Sequence, residues 1–304
     1  MTQVIAAFYK FVTLVDYADR RQPLLNLCQQ HQIKGTILLA AEGINGTISG
    51  TRSSIDAILA ALTADPCFAD LEHKEAIATK PPFDRLRVRL RPEIVTLGIP
   101  TIDPANLVGT YVKPQDWNAL IANPDVLVID TRNQYEVEIG TFAGAIDPHT
   151  DAFNEFPAYV ATHLDPQHHK HIAMFCTGGI RCEKATSYLL SQGFEHVYHL
   201  QGGILKYLEE IPATESQWEG ECFVFDERVA ITHGLAPGTH QLCWGCGNPI
   251  SPADINSPHY EPGICCLRCY PTLTPAQRAS RTERSRQFQQ AANCLSIDVD
   301  RQID

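Results

Sequence analysis

The stretch at residues 172–192 constrains the fold of this chain more than any other, because it joins a buried strand to a helix through a glycine-rich loop. An apolar run at residues 172–175 predicts a short core strand that ends at Cys176. After the loop, apolar side chains recur at helical spacing until Gly193 closes the helix. A strand-loop-helix unit of this kind is typical of a parallel α/β sheet.

Cys176 stands where the chain leaves the strand, a position suited to thiol chemistry. The loop that follows consists of Thr177, Gly178, Gly179, Ile180 and Arg181. Its amides can turn toward the sulfur, and the helix N-terminus adds partial positive charge. Both effects, together with the Arg181 cation, favour a thiolate with a pKa below the usual value of about 8.5. We therefore expect a reactive Cys176; the alternative is an inert cysteine buried after a core strand.

The surrounding residues, 122–214, predict a domain with this sheet at its centre. Further strands are expected at 126–129, 140–146 and 195–200, with a helix at 153–164. Cys176 would then lie at the carboxyl end of a strand, where open α/β sheets carry their sites. Asp130 and Arg132 follow a neighbouring strand, and we expect them to pair and shape the floor of the site.

Residues 1–92 predict a separate ferredoxin-like domain of the split βαβ type. The expected order is β-α-β-β-α-β, with the last strand at residues 85–91. Its helices would cover one face of the sheet and leave the other face open. Residues 93–121 are rich in proline, show little periodicity and are expected to form a connector.

The predicted last strand of this domain alternates strictly between apolar and cationic residues. Such a period of two places the cations together on one face of the sheet; they are Arg85, Arg87, Arg89 and Arg91. One interpretation is a solvated face with salt-bridge partners. The other is a nucleic-acid contact, because an anionic partner would relieve the repulsion among the four guanidinium groups.

The C-terminal region, residues 215–304, contains two Cys-x-x-Cys pairs that predict a zinc site. Nineteen residues separate the pairs, which are Cys243 with Cys246 and Cys266 with Cys269. The segment is rich in glycine and proline, so a structural metal would supply folding energy. Reduced metal-free thiols, a redox disulfide, or Cys265 in place of Cys266 are the alternatives.

A final helix is predicted to begin at Pro275, a residue favoured at the first helical position. Arg278 and Arg281 are three residues apart and share one face of this helix. We expect either an ordinary solvated helix or a helix that contacts RNA phosphates.

Length, charge and cysteine content limit the classes of protein to which this chain can belong. The chain has 304 residues, which suggests two or three domains, and its net charge is −11. Cations nevertheless outnumber anions six to three at residues 71–91 and five to one at residues 268–288. Because no apolar run is long enough to cross a membrane and no signal peptide is evident, we expect a cytoplasmic protein without membrane contact. Its eleven cysteines then favour metal binding and thiol chemistry over disulfides.

Several short motifs together resemble a rhodanese domain. They are Asp130-x-Arg132, Tyr135-Glu136, Gly144-Ala-Ile146, the loop Cys176–Arg181, and Val197-Tyr-x-Leu-x-Gly-Gly203. In that family the loop cysteine carries a persulfide cradled by loop amides. Four residues separate Cys176 from Arg181, whereas the related dual-specificity phosphatases have five. The shorter loop favours sulfur chemistry over phosphoryl transfer.

The resemblance extends over nearly the whole chain. With residues 1–92, the string Cys176–Lys184, the segment 218–226 and the two cysteine pairs, the sequence looks like the bacterial TrhO family of oxygen-dependent tRNA uridine hydroxylases. The resemblance implies 5-hydroxyuridine formation at the wobble position, with Cys176 as the catalytic residue, tRNA as partner and molecular oxygen as co-substrate. We expect no organic cofactor and no obligate protein partner. A persulfide-forming sulfurtransferase and a non-catalytic RNA-binding adaptor are the alternative functions.

Overall fold

A computed structural model describes residues 3–78, 82–226 and 228–300, without the side chains of residues 289 and 291–300. The chain divides into two compact units. The first contains the residues up to Cys222 together with His233–Leu235, and the second contains Phe223–Thr232 and Ala236–Asp304. Within the described residues, no helix is long and apolar enough to cross a membrane.

The first unit opens with a five-stranded sheet covered on one face by two helices. Its elements are β1 (Gln3–Phe11), α1 (Tyr17–Gln30), β2 (Lys34–Ala40), β3 (Gly43–Gly50), α2 (Arg52–Thr63), a 3-10 turn (Pro66–Phe68), β4 (His73–Ala78) and β5 (Leu86–Leu90). The strand order is β4-β1-β3-β2-β5. The first four strands and two helices have the ferredoxin-like order, which confirms the predicted fold class.

The position of the last ferredoxin-like strand was predicted wrongly. That strand is β4, which pairs antiparallel with β1, whereas β5 is an additional edge strand that runs parallel to β2. The sequence of β4, His-Lys-Glu-Ala-Ile-Ala, has too few apolar residues to stand out from a loop. The last ferredoxin-like strand therefore lies in a polar segment, whereas the more regular alternation belongs to β5.

The prediction of an open sheet face is also wrong. Residues such as Phe8, Ile37 and Ile48 pack against the helices on one face of the sheet. On the opposite face, Phe11 and Ala40 form a second apolar cluster with Ile94 and Ile180. Ile180 is the first residue of the helix that follows the Cys176 loop, so the second domain covers part of this face of the N-terminal sheet.

The second domain is built on a four-stranded parallel sheet, as predicted. The elements are β6 (Thr110–Val112), α3 (Pro114–Ile121), β7 (Val126–Asp130), α4 (Gln134–Val137), β8 (Gly140–Phe142), a 3-10 turn (Phe153–Glu155), α5 (Phe156–His163), β9 (His171–Phe175), α6 (Ile180–Ser191), β10 (His196–Leu200), α7 (Gly203–Glu210) and β11 (Trp218–Gly220). The order is β6-β10-β9-β7, and β8 pairs separately with β11. The sheet thus begins with β6, inside the segment that was predicted to be a connector.

The second unit has little regular structure apart from its last helix. Its elements are β12 (Cys222–Phe223, shared with the end of the first unit), β13 (Ala230–Ile231), β14 (Gln241–Leu242), β15 (Pro249–Ile250), α8 (Pro252–Ile255) and α9 (Pro275–Asp300). A cluster of buried cysteines with Ile250 forms its core. The last helix begins at Pro275, as the sequence predicted.

Candidate active site

Cys176 lies at the carboxyl end of β9, directly before the loop that leads into α6. Its side chain is almost completely buried, and the Gly179 amide donates a hydrogen bond to Sγ at 3.1 Å. Gly179 adopts a left-handed φ of 108°, and a Cβ atom there would stand 2.6 Å from the Tyr9 hydroxyl. Only glycine therefore fits the turn that directs this amide to the sulfur.

The surroundings of Cys176 favour its thiolate form. Burial alone would raise the pKa of Cys176, but a hydrogen bond from the Cys182 thiol, the charge of Arg181 and the amides of Cys182 and Gly179 together outweigh it. The pKa of Cys176 therefore lies below the ordinary range of thiols. Burial and the adjacent Cys176 raise the pKa of Cys182 instead, so this neighbour stays protonated. The arrangement supplies one buried nucleophilic sulfur.

Arg181 is fixed in place by a buried carboxylate. Its two terminal nitrogens, Nη1 and Nη2, lie 2.7 and 2.8 Å from the two carboxylate oxygens of Glu136, and Nη2 also reaches Thr177 Oγ1 at 3.3 Å. Arg181 in turn lowers the pKa of Glu136, although burial of that carboxyl opposes ionisation. The guanidinium group thus binds Glu136, and its positive charge lowers the pKa of Cys176.

Asp130 and Arg132 form the pair that the sequence predicted, at the end of β7. Arg132 Nε and Nη2 donate to the Asp130 carboxylate at 2.9 and 2.6 Å, and both side chains are fully buried. Nη2 also donates to the Gly140 carbonyl at 2.6 Å, and the guanidinium stacks over Trp218 at 5.1 Å. All of these contacts are internal, so the pair holds the chain in place after β7.

Three further residues lie near the loop, and sequence reasoning missed two of them, Tyr9 and Lys74; the third, Gly203, belongs to a motif that the sequence analysis named. The Tyr9 hydroxyl, on β1, donates to Glu183 Oε1 in the first turn of α6 at 2.8 Å. Lys74, on β4, donates through Nζ to the Gly202 carbonyl. Gly203, next to Gly202, would bring a Cβ atom within 2.5 Å of the Cys176 carbonyl oxygen. The first two come from a domain about 100 residues or more away in the chain, and no local pattern in the sequence connects them to Cys176.

The four arginines of the predicted RNA face lie on or beside β5. Val88 packs into the helix-side core. The alternation of the strand therefore places Arg87 and Arg89, with Arg85 and Arg91 beside its ends, on the opposite face. Tyr9 and Lys74 share that face. Among the described residues, none of the four arginines has an acidic partner within salt-bridge distance; Lys80 of the same basic segment lies outside the described residues.

The four predicted zinc ligands lie together in the second unit. The sulfur atoms of Cys243, Cys246, Cys266 and Cys269 all lie within 4.8 Å of one another. A tetrahedral zinc site with bonds of about 2.3 Å separates its sulfurs by about 3.8 Å, so this cluster fits the metal. Cys265 points away and contacts the His259 carbonyl, which rules it out as a member of the cluster.

Arg278 and Arg281 hold the last helix against this cysteine cluster. Arg278 Nη1 pairs with Glu261 at 2.5 and 2.6 Å. Arg281 Nη1 donates to the Ile264 carbonyl at 3.1 Å and approaches Cys269 Sγ at 3.6 Å. Both guanidinium groups are therefore occupied inside the second unit. Their predicted contact with RNA phosphates remains a prediction, and the structure gives them a different role.

Comparison with known protein families agrees with the two domains of the first unit. Residues 3–94 match a family described as the UPF0176 acylphosphatase-like domain. Residues 113–210, which include Cys176 and its loop, match the rhodanese-like domain. The fold and the site thus define a rhodanese-like protein with an N-terminal acylphosphatase-like domain.

Relatives over the full length identify the family more closely. Proteins named tRNA uridine(34) hydroxylase are 58% identical in Picosynechococcus sp. over 96% of this chain and 98% of theirs, and 56% identical in Teredinibacter turnerae over 99% and 94%. A third, from Sinorhizobium fredii, is 57% identical over 94% of this chain and 91% of its own. The chain belongs to the tRNA uridine(34) hydroxylase family.

Proposed function

We propose that this protein hydroxylates uridine 34, the wobble base of tRNA, and that Cys176 is the essential thiol. The activity is taken from the names of its relatives, which match the chain almost end to end. The assignment of Cys176 is supported by one observation above the others. Its sulfur is buried, accepts a hydrogen bond from the Gly179 amide and lies close to the positive charge of Arg181. These contacts favour the thiolate, which is the nucleophilic form.

The chemistry at Cys176 follows from its thiolate character. A thiolate can add to C6 of uracil, which makes the adjacent C5 electron-rich and open to attack by an oxidant. Molecular oxygen is the proposed co-substrate, in line with the family resemblance. One oxygen atom becomes the C5 hydroxyl and the other leaves as water, with two electrons and two protons supplied by an external two-electron reductant. Loss of the proton on C5 and elimination of the thiolate from C6 then restore the C5=C6 double bond. In this scheme Gly179 and Arg181 stabilise the sulfur anion when it leaves.

The other parts of the chain are proposed to bind the substrate or to support the fold. Residues 1–92 form the RNA-binding domain, in which Arg85, Arg87, Arg89 and Arg91, without acidic partners among the described residues, contact phosphates of the tRNA. Residues 110–214, whose sheet begins with β6, form the catalytic domain, residues 93–109 join it to the first domain, and residues 215–304 form the cysteine-rich module. In that module, zinc bound by the four clustered cysteines would act only as a cross-link that stabilises the fold. Because the substrate is tRNA, we propose that the protein acts in the cytoplasm.

The proposal is tested by nucleoside analysis of tRNA from cells that lack the gene and carry either the wild-type chain or Cys176→Ser. We expect 5-hydroxyuridine with the wild-type chain, and none with Cys176→Ser. Cys67→Ser, at a half-buried cysteine of the N-terminal domain, is the control and should retain the product. Normal 5-hydroxyuridine in the Cys176→Ser strain would exclude Cys176 from the reaction. Loss of product in anoxic cells checks the co-substrate.

A sulfurtransferase is the second candidate, because the rhodanese-like match and the short loop both suit a persulfide. It would transfer sulfur from Cys176 to a small acceptor. Mass spectrometry of the purified protein would then show a one-sulfur adduct on Cys176, and thiosulfate with cyanide would yield thiocyanate. Turnover of this kind, without 5-hydroxyuridine in tRNA, would favour this function over hydroxylation.

A further inference from the structure

Glu183 differs from the other buried acids around Cys176 in its partners. Glu136, Glu93 and Asp130 each form an ion pair with a buried arginine or lysine at 2.5 to 2.7 Å. Among the described residues, no lysine, arginine or histidine pairs with Glu183. Its carboxylate accepts a hydrogen bond from the Tyr9 hydroxyl at 2.8 Å, and the nearby Tyr111 hydroxyl also stabilises its ionised form. Neutral partners leave a carboxylate able to gain and lose a proton, whereas an arginine partner keeps it ionised.

The location of Glu183 links it to the reactive sulfur. Its backbone amide donates to the Gly179 carbonyl at 3.1 Å, and Gly179 in turn donates to Cys176 Sγ. Its hydrogen-bond partner Tyr9 lies against the same glycine. Glu183 is only half-buried, and 45% of the surface of Tyr111 is exposed. The carboxylate thus lies on an accessible side of the Cys176 loop, next to an exposed aromatic ring of the kind on which RNA bases stack.

We propose that Glu183, oriented by Tyr9 and Tyr111, is the residue that takes up the proton released from C5 of the substrate uracil. This inference rests on the proposed function. Hydroxylation replaces the hydrogen on C5 with a hydroxyl group. The C5–H bond breaks, its electron pair stays in the ring, and the proton forms a new O–H bond on the Glu183 carboxylate. Bulk water then removes the proton from the half-buried carboxyl before the next turnover.

Glu183 is better suited to accept this proton than the other titratable groups that face it. Burial is the main cause that raises the pKa of Glu183; Cys176 and Glu72 add to this effect, the hydroxyls of Tyr9 and Tyr111 oppose it, and the resulting pKa is about 7. His199, whose ring centroid lies 4.2 Å from that of Tyr111 at a tilt of 50°, has its pKa lowered to about 4 by burial and stays neutral. Lys74 is held by the Gly202 carbonyl. An acceptor that titrates near neutrality is the most effective base at physiological pH.

The test measures single-turnover hydroxylation of tRNA by purified wild-type protein and by Glu183→Gln, which keeps the size of the side chain and its acceptor oxygen. The wild-type rate should fall on the acid side with a midpoint near pH 7. In Glu183→Gln we expect a loss of about 100-fold at neutral pH and no such limb, since general base catalysis contributes about 10²–10⁴-fold. Binding of tRNA and alkylation of Cys176 should remain at wild-type levels, which a merely structural role would not predict.

Tyr9→Phe supplies a second test, because the proposal predicts the direction in which its pH–rate profile shifts. The Tyr9 hydroxyl lowers the pKa of Glu183, so its removal should move the acid limb to higher pH. If Glu183→Gln retains both the wild-type rate and the acid limb, Glu183 is not the base. If the wild-type protein itself makes no 5-hydroxyuridine, the proposed function fails first, so the two failures are distinguishable.

Discussion

Lys184 Nζ in α6 lies 2.7 Å from Oε2 of Glu42, which stands between β2 and β3 of the N-terminal sheet. The same ammonium group lies 2.5 Å from Glu93 Oε2 and 3.1 Å from the Val95 carbonyl. Lys184 is completely buried. Lys184, eight positions after Cys176, therefore links the two domains of the first unit through buried ion pairs.

Replacing Lys184 with methionine should destabilise the first unit severely. Lys184→Met keeps the length of the side chain but leaves Glu42 and Glu93 facing each other without a cation. Breaking a buried ion pair in this way costs about 3–5 kcal/mol of unfolding free energy. Urea unfolding followed by tryptophan fluorescence measures the decrease. Arg52→Met is the control, since Arg52 and Glu75 form an exposed pair whose removal should change little. Equal stability of the two variants would contradict the structural role of Lys184.

The charge balance between Arg181 and Glu136 should set the thiolate titration of Cys176. In Glu136→Gln the field of Arg181 is no longer neutralised, so the midpoint for Cys176 should move to lower pH. In the double variant Arg181→Met/Glu136→Gln both charges are absent, and the midpoint should move to higher pH, by about 1 unit or more. The rate of iodoacetamide alkylation of the Cys176 peptide against pH, followed by mass spectrometry, gives these midpoints.

The opposite signs in the two variants separate charge from packing. Both variants disturb the same pocket, so a packing defect would move the two midpoints in the same direction. Such a result would mean that Arg181 serves only the shape of the loop. The Cys182→Ala variant serves as a further check, because it removes the thiol that donates to Cys176 and should also raise the midpoint.

The features that the sequence predicted correctly are those that short stretches determine. The strand before Cys176, the glycine loop and the following helix are consecutive, and each leaves its own periodicity or composition. The two Cys-x-x-Cys pairs are equally local, and their four sulfurs do lie together. The alternation of β5 placed its arginines on one face. In each case the residues that determine the feature lie close to one another in the sequence.

What the sequence did not predict depends on contacts between distant segments. Tyr9 and Glu183 are 174 residues apart, and their hydrogen bond exists only because one sheet packs on the loop of the other domain. Arg181 and Glu136 are 45 residues apart, so the partner of the arginine could not be read from the loop. β4 escaped prediction because a polar edge strand gains its stability from its neighbour β1, and its own composition resembles a loop.

Loss of metal from the cysteine cluster should unfold the second unit and leave the first folded. The segment has few buried residues besides the cysteines, so its stability depends on the cross-link. Cys266→Ser should lower bound zinc from about one equivalent to near zero, as measured by atomic emission. Cys265→Ser is the matched control, because the adjacent Cys265 lies outside the cluster and should retain the metal. Equal zinc content in the two variants would contradict the assignment of the ligands.

The arginines of β5 should contribute to tRNA binding by neutralising phosphates. Arg89 is exposed, and together with Arg21 and Arg91 it lines a shallow depression of about 420 Å³ at the edge of the sheet. Arg89→Glu should weaken binding and flatten the plot of log K against log salt by about 0.7–0.9 for each phosphate that is no longer neutralised. Fluorescence anisotropy with labelled tRNA at several salt concentrations measures the slope.

Arg52→Glu is the matched control for this face. Arg52 is also an exposed arginine of the N-terminal domain, but it lies at the start of α2 on the helix side and pairs with Glu75 and Asp56. The reversal changes the net charge of the protein by the same amount, so any nonspecific effect is shared. A flatter slope for Arg89→Glu alone would place the RNA backbone along β5, on the sheet face that also carries Tyr9. Identical slopes for the two variants would exclude Arg89 from the interface with RNA, and alkylation of Cys176 should be unaffected in both.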